Sequence, residues 1–325
     1  MQADASVKQA PKQSFKDRFF GRKTMNKVWF FLFLIPVMVP YLLMVIIPFV
    51  LGAYYSFTDW RGGIGDTNWI GLANYRDLLS NYRFIYSFIR TGIYAFFNVV
   101  VINFVAFSLA LLVTRKLKLT NIYRAGFFMP NLIGGLIIGF LWRYIFNYVL
   151  GTVGFGIFSA SPLDNNLAMM SLVIVVTWQY AGYIMMIYVA ALQNIPEDLV
   201  EASQIDGANA LQRLRNIVLP LVAPAFTVSM FLTLVTAFKQ FDTVFSLTSA
   251  GPVVILPDYL RDFLNVEASL PRVRLTGLLA YNIYDVGFTN RNFAFAQAQA
   301  VTFFVLLAVL SLGQVYFNKK REVEM

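Results

Sequence analysis

The stretch Pro196–Pro224, PEDLVEASQIDGANALQRLRNIVLPLVAP, is the longest polar, helix-forming segment between two apolar runs. Pro196 suits a first helical position, where its missing N–H is not needed. Glu197, Asp198 and Glu201 place negative charge near the positive end of that helix. Gly207 can take the left-handed backbone that often ends a helix. Asn209 can cap a second helix, with Arg213 and Arg215 in its last turns. Ile217-Val218-Leu219-Pro220 leads into the next apolar run. The spacing predicts two short helices at an angle, hinged at Gly207 and standing off the face of a membrane.

On both sides of this segment the chain is too apolar for a water-soluble domain. Of its 325 residues 58% are hydrophobic and 13% charged, the composition of an integral membrane protein. Cysteine and histidine are absent. That excludes disulfide and thiol chemistry, argues against a zinc site and removes the commonest general base. The net charge of +9 does not imply nucleic acid as a partner, because the basic residues crowd at membrane edges.

Residues 1–27 are polar and basic, with Lys8, Lys12, Lys16, Arg18, Arg22, Lys23 and Lys27. The apolar run that follows is too long for a signal peptide and lacks a small-residue cleavage site. It reads as a first span over Val28–Tyr55, kinked or broken by Pro36, Pro40 and Pro48. An outer loop over 56–88 precedes spans at Thr91–Val113, Ala125–Tyr148, Leu167–Leu192, Val218–Phe238 and Ala294–Phe317. The third holds Pro130, Gly134, Gly135 and Gly139, which permit either a close helix approach or a break. Arg143 near its end can snorkel. Residues 149–166 and 239–291 form further outer segments. Arg115, Lys116, Lys118 and Arg124, then Arg213 and Arg215, then Lys319, Lys320 and Arg321 fall on the other side with the N-terminus. These clusters hold most of the 26 basic residues. An all-α, polytopic protein of six spans with both ends in the cytoplasm fits that bias; five or seven spans would misplace one cluster. The segments are then a cytoplasmic 1–27, a transmembrane domain over 28–317 with its polar elbow at 194–217, and a cytoplasmic tail at 318–325.

Glu201-Ala202-Ser203, Asp206-Gly207-Ala208 and Ile217, Leu219 and Pro220 resemble the EAA loop of permease subunits in bacterial ATP-driven importers of the sugar type. Ser203 replaces the usual alanine, and Leu214 stands where many sugar permeases have an aromatic. The resemblance implies that Glu201, Ala202, Asp206, Gly207, Ala208, Ile217, Leu219 and Pro220 couple the chain to an ATPase subunit. An ordinary cytoplasmic linker is the plainer reading of the same composition. Trp69-Ile70-Gly71-Leu72-Ala73-Asn74-Tyr75-Arg76 is similar to a segment of sugar permeases, though it equally suits a surface aromatic belt. Leu247-Thr248-Ser249-Ala250-Gly251-Pro252 resembles the family's Leu-Thr-x-Gly-Gly-Pro, but extra residues over about 254–275 come before the expected outer helix Thr276–Phe288. They read either as an insertion facing a docked solute-binding protein or as a tolerated surface loop.

The family implies an assembly in the bacterial cytoplasmic membrane. It comprises a second, different permease, two ATP-binding subunits that hold the ATP and magnesium, an external solute-binding protein, and lipid. This chain is expected to be a transport subunit and not an enzyme. It has no P-loop, since Gly21-Arg22-Lys23-Thr24 lacks the glycine that should precede the lysine. The span cores also lack Asp, Glu, Lys and His, where a proton-coupled carrier keeps an ionisable group. The spans offer neutral polar and aromatic side chains instead, which suit the ring faces and hydroxyls of sugars. Carried over from the family, Asn131, Trp178, Gln179, Tyr180, Tyr183, Thr236 and Gln240 would line the substrate path; interhelical packing is the competing role. Arg143, Lys239, Arg272 and Arg274 would favour an anionic solute such as a uronate oligosaccharide or a glycerol phosphate, although snorkelling and solvation explain them too. The rival from another class is an ATP-independent carrier or channel. A membrane-bound enzyme finds no paired acid, His or Cys constellation to support it.

Overall fold

The computed structural model describes residues 22–63, 67–115, 118–150, 152, 163, 167–264, 266 and 270–319. The expectations for residues 1–21, for most of 149–166, for part of 254–275 and for Lys116, Lys320 and Arg321 lie outside the described residues. Two units are distinguished, 1–55 and 56–325.

The described part of the first unit is a helix built from α1 (Arg22–Tyr41) and α2 (Ile47–Tyr55), within which the 31 residues Met25–Tyr55 form an apolar span. Its large side chains are mostly exposed, from Ile46 at 37% to Met44 at 78%, as a lipid-facing helix requires. The prolines do not sever it. A π-helical turn, Leu42–Ile46, lies just before Pro48, and the Ile47 N–H reaches Leu42 O across it. The wider turn moves the carbonyl that a proline ring would otherwise strike.

The second unit contains α3 (Ala73–Ser80), α4 (Tyr82–Val113), α5 (Thr120–Phe128), α6 (Gly135–Tyr144), α7 (Ala168–Gln193), α8 (Glu197–Ile205), α9 (Ala210–Arg213), α10 (Leu219–Phe238), β1 (Val253–Ile255), α11 (Asp258–Phe263), β2 (Arg272–Arg274), α12 (Leu279–Tyr284) and α13 (Phe293–Lys319). α4 lies along α7, α10 packs against both, and α13 packs against α10. Tyr94, Ile102, Leu172, Ile184 and Tyr188 are fully buried in this bundle.

Three boundaries differ from the sequence expectation. The second span begins at Tyr82 and not at Thr91, because Asn81 Oδ1 accepts from Phe84 N at 3.0 Å and caps the helix early. Its 32 residues rise roughly 48 Å, more than a hydrocarbon core of about 30 Å. The surplus end supports a folded segment that follows α10. β1 and β2 pair antiparallel with Val254 opposite Val273, and Leu256, Leu260 and Val273 pack on Tyr86. The neck of this segment is stitched, with Leu275 N bonding Pro252 O and Thr276 N bonding Ala250 O, both at 3.0 Å.

The third span is not straight. Thr120–Leu132 and Gly135–Leu150 meet at 97°, with Ile133 and Gly134 extended between them. The two halves are pinned to different neighbours. A Cβ at Gly182 of α7 would overlap Phe127 O, so α5 meets α7 backbone to backbone. A Cβ at Gly139 of α6 would strike the Ser246 hydroxyl, in the π-helical turn Val244–Thr248. The third-span glycines therefore serve both purposes that the sequence left open, a break at Gly134 and a close approach at Gly139, and Gly182 of α7 adds a second approach.

The third difference is at the elbow. α9 is not a separate short helix. It continues through a π-helical turn, Leu214–Val218, into α10, forming one helix of 29 residues, Ala210–Phe238. The turn again comes just before a proline, here Pro220, which explains why that residue does not break the helix. Arg213 and Arg215 consequently lie in the first turns of a long helix.

Candidate functional site

The elbow is rigid by construction. Pro196 is the N-cap of α8 and not its first helical residue, with Glu197 and Asp198 in the first turn. Gly207 has φ +78°, Gly207 N donates to Gln204 O at 3.1 Å, and Ala208 N donates to Ser203 O at 2.9 Å. This pair of bonds is the Schellman stop that a left-handed glycine permits. Asn209 and Gln212 then cap each other reciprocally at 2.8 and 2.9 Å. Arg213 Nη1 donates to Ala208 O at 2.7 Å and closes the turn. Ser203 is buried, and its hydroxyl donates to Val200 O at 2.6 Å, so the change from alanine leaves no unpaired group.

Around this frame the surface is mixed. Glu201, Ala202, Asp206 and Gly207 are exposed, Ala208, Ile217 and Pro220 are half-buried, and Leu219 lies at the edge of exposure. Ile205 at 87% and Leu211 at 72% are bare on either side of the hinge, with Leu199 nearby in sequence also exposed. Both apolar side chains are thus held outward on this hydrogen-bonded frame.

Above the elbow, α4, α7 and α10 share a buried polar seam. Tyr188 Oη donates to Asn103 Oδ1 at 2.6 Å and shares a bond with Ser229 Oγ at 2.5 Å; Asn103 Nδ2 donates to Thr233 Oγ1 at 3.0 Å and to Val99 O at 2.8 Å. Sequence reasoning missed this seam. Ser229 and Thr233 look like ordinary residues that bond back to their own helix, and the one available signal was an amide, Asn103, deep in an apolar run.

Further along the same helices a cavity of about 300 Å³ opens where α10 ends. Tyr180, Thr236 and Gln240 line it, together with Gly135, Lys239, Phe241, Asp242 and Thr243. Three of the expected path residues thus meet in one place, and Lys239 and Asp242 add one charge of each sign. The others lie elsewhere. Gln179 Nε2 donates to Ile133 O at 3.3 Å, at the bend of the third span. Trp178 packs edge-on against Trp142 at 5.6 Å. Tyr183 packs with the bundle core, and Asn131 sits half-buried in the 3-10 turn Met129–Leu132.

Apolar helices arranged around a polar seam and a cavity define a multi-pass membrane permease. A family described as "Binding-protein-dependent transport system inner membrane component" matches residues 102–323, and the chain belongs to this family. Its place is accordingly the inner membrane. The chain is 43% identical over 314 residues to the probable starch degradation products transport system permease protein AmyD of Thermoanaerobacterium thermosulfurigenes, covering 95% of this chain and 99% of that protein. It is 30% identical to the multiple sugar-binding transport system permease protein MsmF of Streptococcus mutans, covering 93% and 99%. The same fold occurs in the crystal structure of a bacterial ABC transporter that imports the acidic polysaccharide alginate, with a TM-score of 0.73 at 18% identity over 92% of this chain and 98% of that one.

Proposed function

We propose that this chain forms one half of the translocation path of an oligosaccharide importer, powered by separate ATP-binding subunits that grip the Glu197–Arg213 elbow from the cytoplasm. The observation that carries this reading is the exposed pair Ile205 and Leu211 on a fully hydrogen-bonded hinge. A loop that only linked two spans would not hold apolar side chains outward on so stiff a frame. Glu201, Ala202, Asp206 and Gly207 are exposed in the same segment, with Ala208 half-buried beside them, and Ile217, Leu219 and Pro220 carry its displacement into α10.

The other partners are a second, different permease subunit and an external solute-binding protein, the component that the family's description names. Mg-ATP belongs to the ATP-binding subunits, and this chain contributes no catalytic group. Carbohydrate as cargo is supported by the names of AmyD and MsmF and by the side chains of the cavity. Tyr180, Thr236 and Gln240 supply hydrogen bonds and an aromatic face, as a sugar requires. Because Lys239 is offset by Asp242, the cavity favours an uncharged oligosaccharide over a uronate or a sugar phosphate.

The test is co-purification from detergent followed by uptake in proteoliposomes. Wild-type chain brings down two kinds of partner, ATP-binding and permease, and transports only with ATP and the solute-binding protein. Gly207→Pro and Glu201→Lys insert into the membrane but lose both the ATP-binding subunit and uptake. Transport by the purified chain alone, without ATP, would falsify the reading.

A further inference from the structure

We propose that a pocket beside the β1–β2 hairpin, lined by Arg83, Arg272 and Arg274, receives a carboxylate side chain of the solute-binding protein and so fixes where that protein docks on this subunit. This rests on the importer reading above and adds the contact residues that reading leaves unassigned. The pocket holds about 200 Å³. Arg83 reaches it from α4 and Arg272 and Arg274 from β2, while Asp285 is the one carboxylate among its lining residues.

The local fold gathers these like charges. Successive side chains of a strand point to opposite faces, so Val273 packs with Leu256, Leu260 and Tyr86 while Arg272 and Arg274 stay exposed. Arg274 is held in place, with Nη1 donating to Ser249 O at 3.2 Å and the guanidinium 6.0 Å from the centre of the Tyr281 ring. Arg83 Nε donates to Tyr82 Oη at 3.3 Å. None of the three arginines forms an ion pair among the described residues. A guanidinium carries five N–H donors in a planar fork that matches a carboxylate, so most of the donors here remain for one. The cargo proposed above is uncharged and does not account for them.

Position and surroundings select a protein as the source of that carboxylate. Gly92–Val113 of α4 is by itself long enough to cross a hydrocarbon core of about 30 Å at about 1.5 Å per residue. Arg83, and the hairpin packed on Tyr86, then stand clear of that core, in a segment that follows the end of α10 remote from the elbow. Val253, exposed on β1, lines the pocket, and Ile255 and Tyr259, also exposed, line a second hollow that shares Tyr86. Phe263 is exposed one turn beyond Tyr259 on α11. Aromatic and aliphatic side chains beside arginines are the make-up of a protein interface. The family's description names a binding protein as the component on which transport depends.

The experiment measures binding of the solute-binding protein that supports wild-type uptake to the whole transporter in nanodiscs, with uptake followed in proteoliposomes. Arg272→Gln and Arg83→Gln are expected to raise its Kd about tenfold, to flatten the dependence of Kd on salt, and to leave kcat at saturating binding protein near wild type. Arg261→Gln, on α11 and outside the pocket, is expected to keep the wild-type Kd. Replacing the binding protein's surface carboxylates one at a time with amides is expected to find one whose loss is not additive with Arg272→Gln. Wild-type Kd in both pocket variants overturns the proposal. An equal rise for Arg261→Gln, or a scan with only additive effects, also overturns it, because either marks general surface charge. Unchanged Kd with loss of co-purifying phosphatidylglycerol makes the pocket a lipid headgroup site and again overturns it. Wild-type uptake with no binding protein present would instead sink the importer reading itself.

Discussion

The bundle of α4, α7 and α10 is polar in two places, and the two are built differently. Toward the elbow, Asn103, Tyr188, Ser229 and Thr233 satisfy one another within 3.0 Å. Toward the cavity, Tyr94 Oη, both amide atoms of Asn98, Thr177 Oγ1, Gln179 Oε1 and Thr243 Oγ1 are buried and bond to none of the described residues. A satisfied seam holds three helices in one register, whereas unpaired polar atoms raise the energy of the arrangement that buries them. The contrast divides labour along the same helices. The elbow half is held in register by its own side chains, and the cavity half keeps polar atoms that its present packing leaves unpaired among the described residues.

The contrast can be broken where the helices touch. Gly182→Ala forces a methyl onto the Phe127 carbonyl, and backbone cannot yield as a flexible side chain would. The expected loss is about 3 kcal/mol, measured as thermal unfolding in detergent, with collapse of the bent third span. In the satisfied seam, Tyr188→Phe removes two hydrogen bonds and strands the Asn103 carbonyl. It should cost about 1–2 kcal/mol and lower uptake and ATPase activity together. Gly207→Ala keeps the elbow's side chains but opposes φ +78°, and should cost about 1 kcal/mol locally while uncoupling ATP hydrolysis from uptake several-fold. The smallest stability effect sharpens the contrast by its sign. Asn98→Leu replaces an unpaired amide with a similar volume of carbon, so melting should stay level or rise while the KM for solute worsens. A drop in melting comparable with Tyr188→Phe would show that the two halves are not different in kind.

Hydropathy alone placed the spans, because an apolar run longer than a bilayer is thick can hardly be accommodated elsewhere. Their ends were harder to read. Tyr82–Arg90 is polar enough to pass for a loop, and its helix depends on the Asn81 cap and on the β1–β2 hairpin segment that packs on Tyr86. Gly134 and Gly135 marked a bend without its size, which is set by the separate neighbours of α5 and α6. Pro220 divides elbow from span in the sequence, and only the wide turn before it shows why the helix runs through. Within the cavity, Tyr180, Thr236 and Gln240 were expected from the family resemblance, whereas Lys239 read as one of several outer charges and Asp242 carried no signal until the end of α10 placed both beside those residues. The seam was invisible for a related reason: four unremarkable positions on three helices become a network only once their register is known.

The unbroken helix from Ala210 to Phe238 has a mechanical consequence. At 1.5 Å per residue it is a strut of roughly 40 Å with one foot at the hinge and its head beside the cavity. The wide turn at Leu214–Val218 lies near that foot, closed by Leu219 N donating to Leu214 O. A continuous helix of that length joins the hinge directly to the end of the bundle where Lys239 and Gln240 line the cavity.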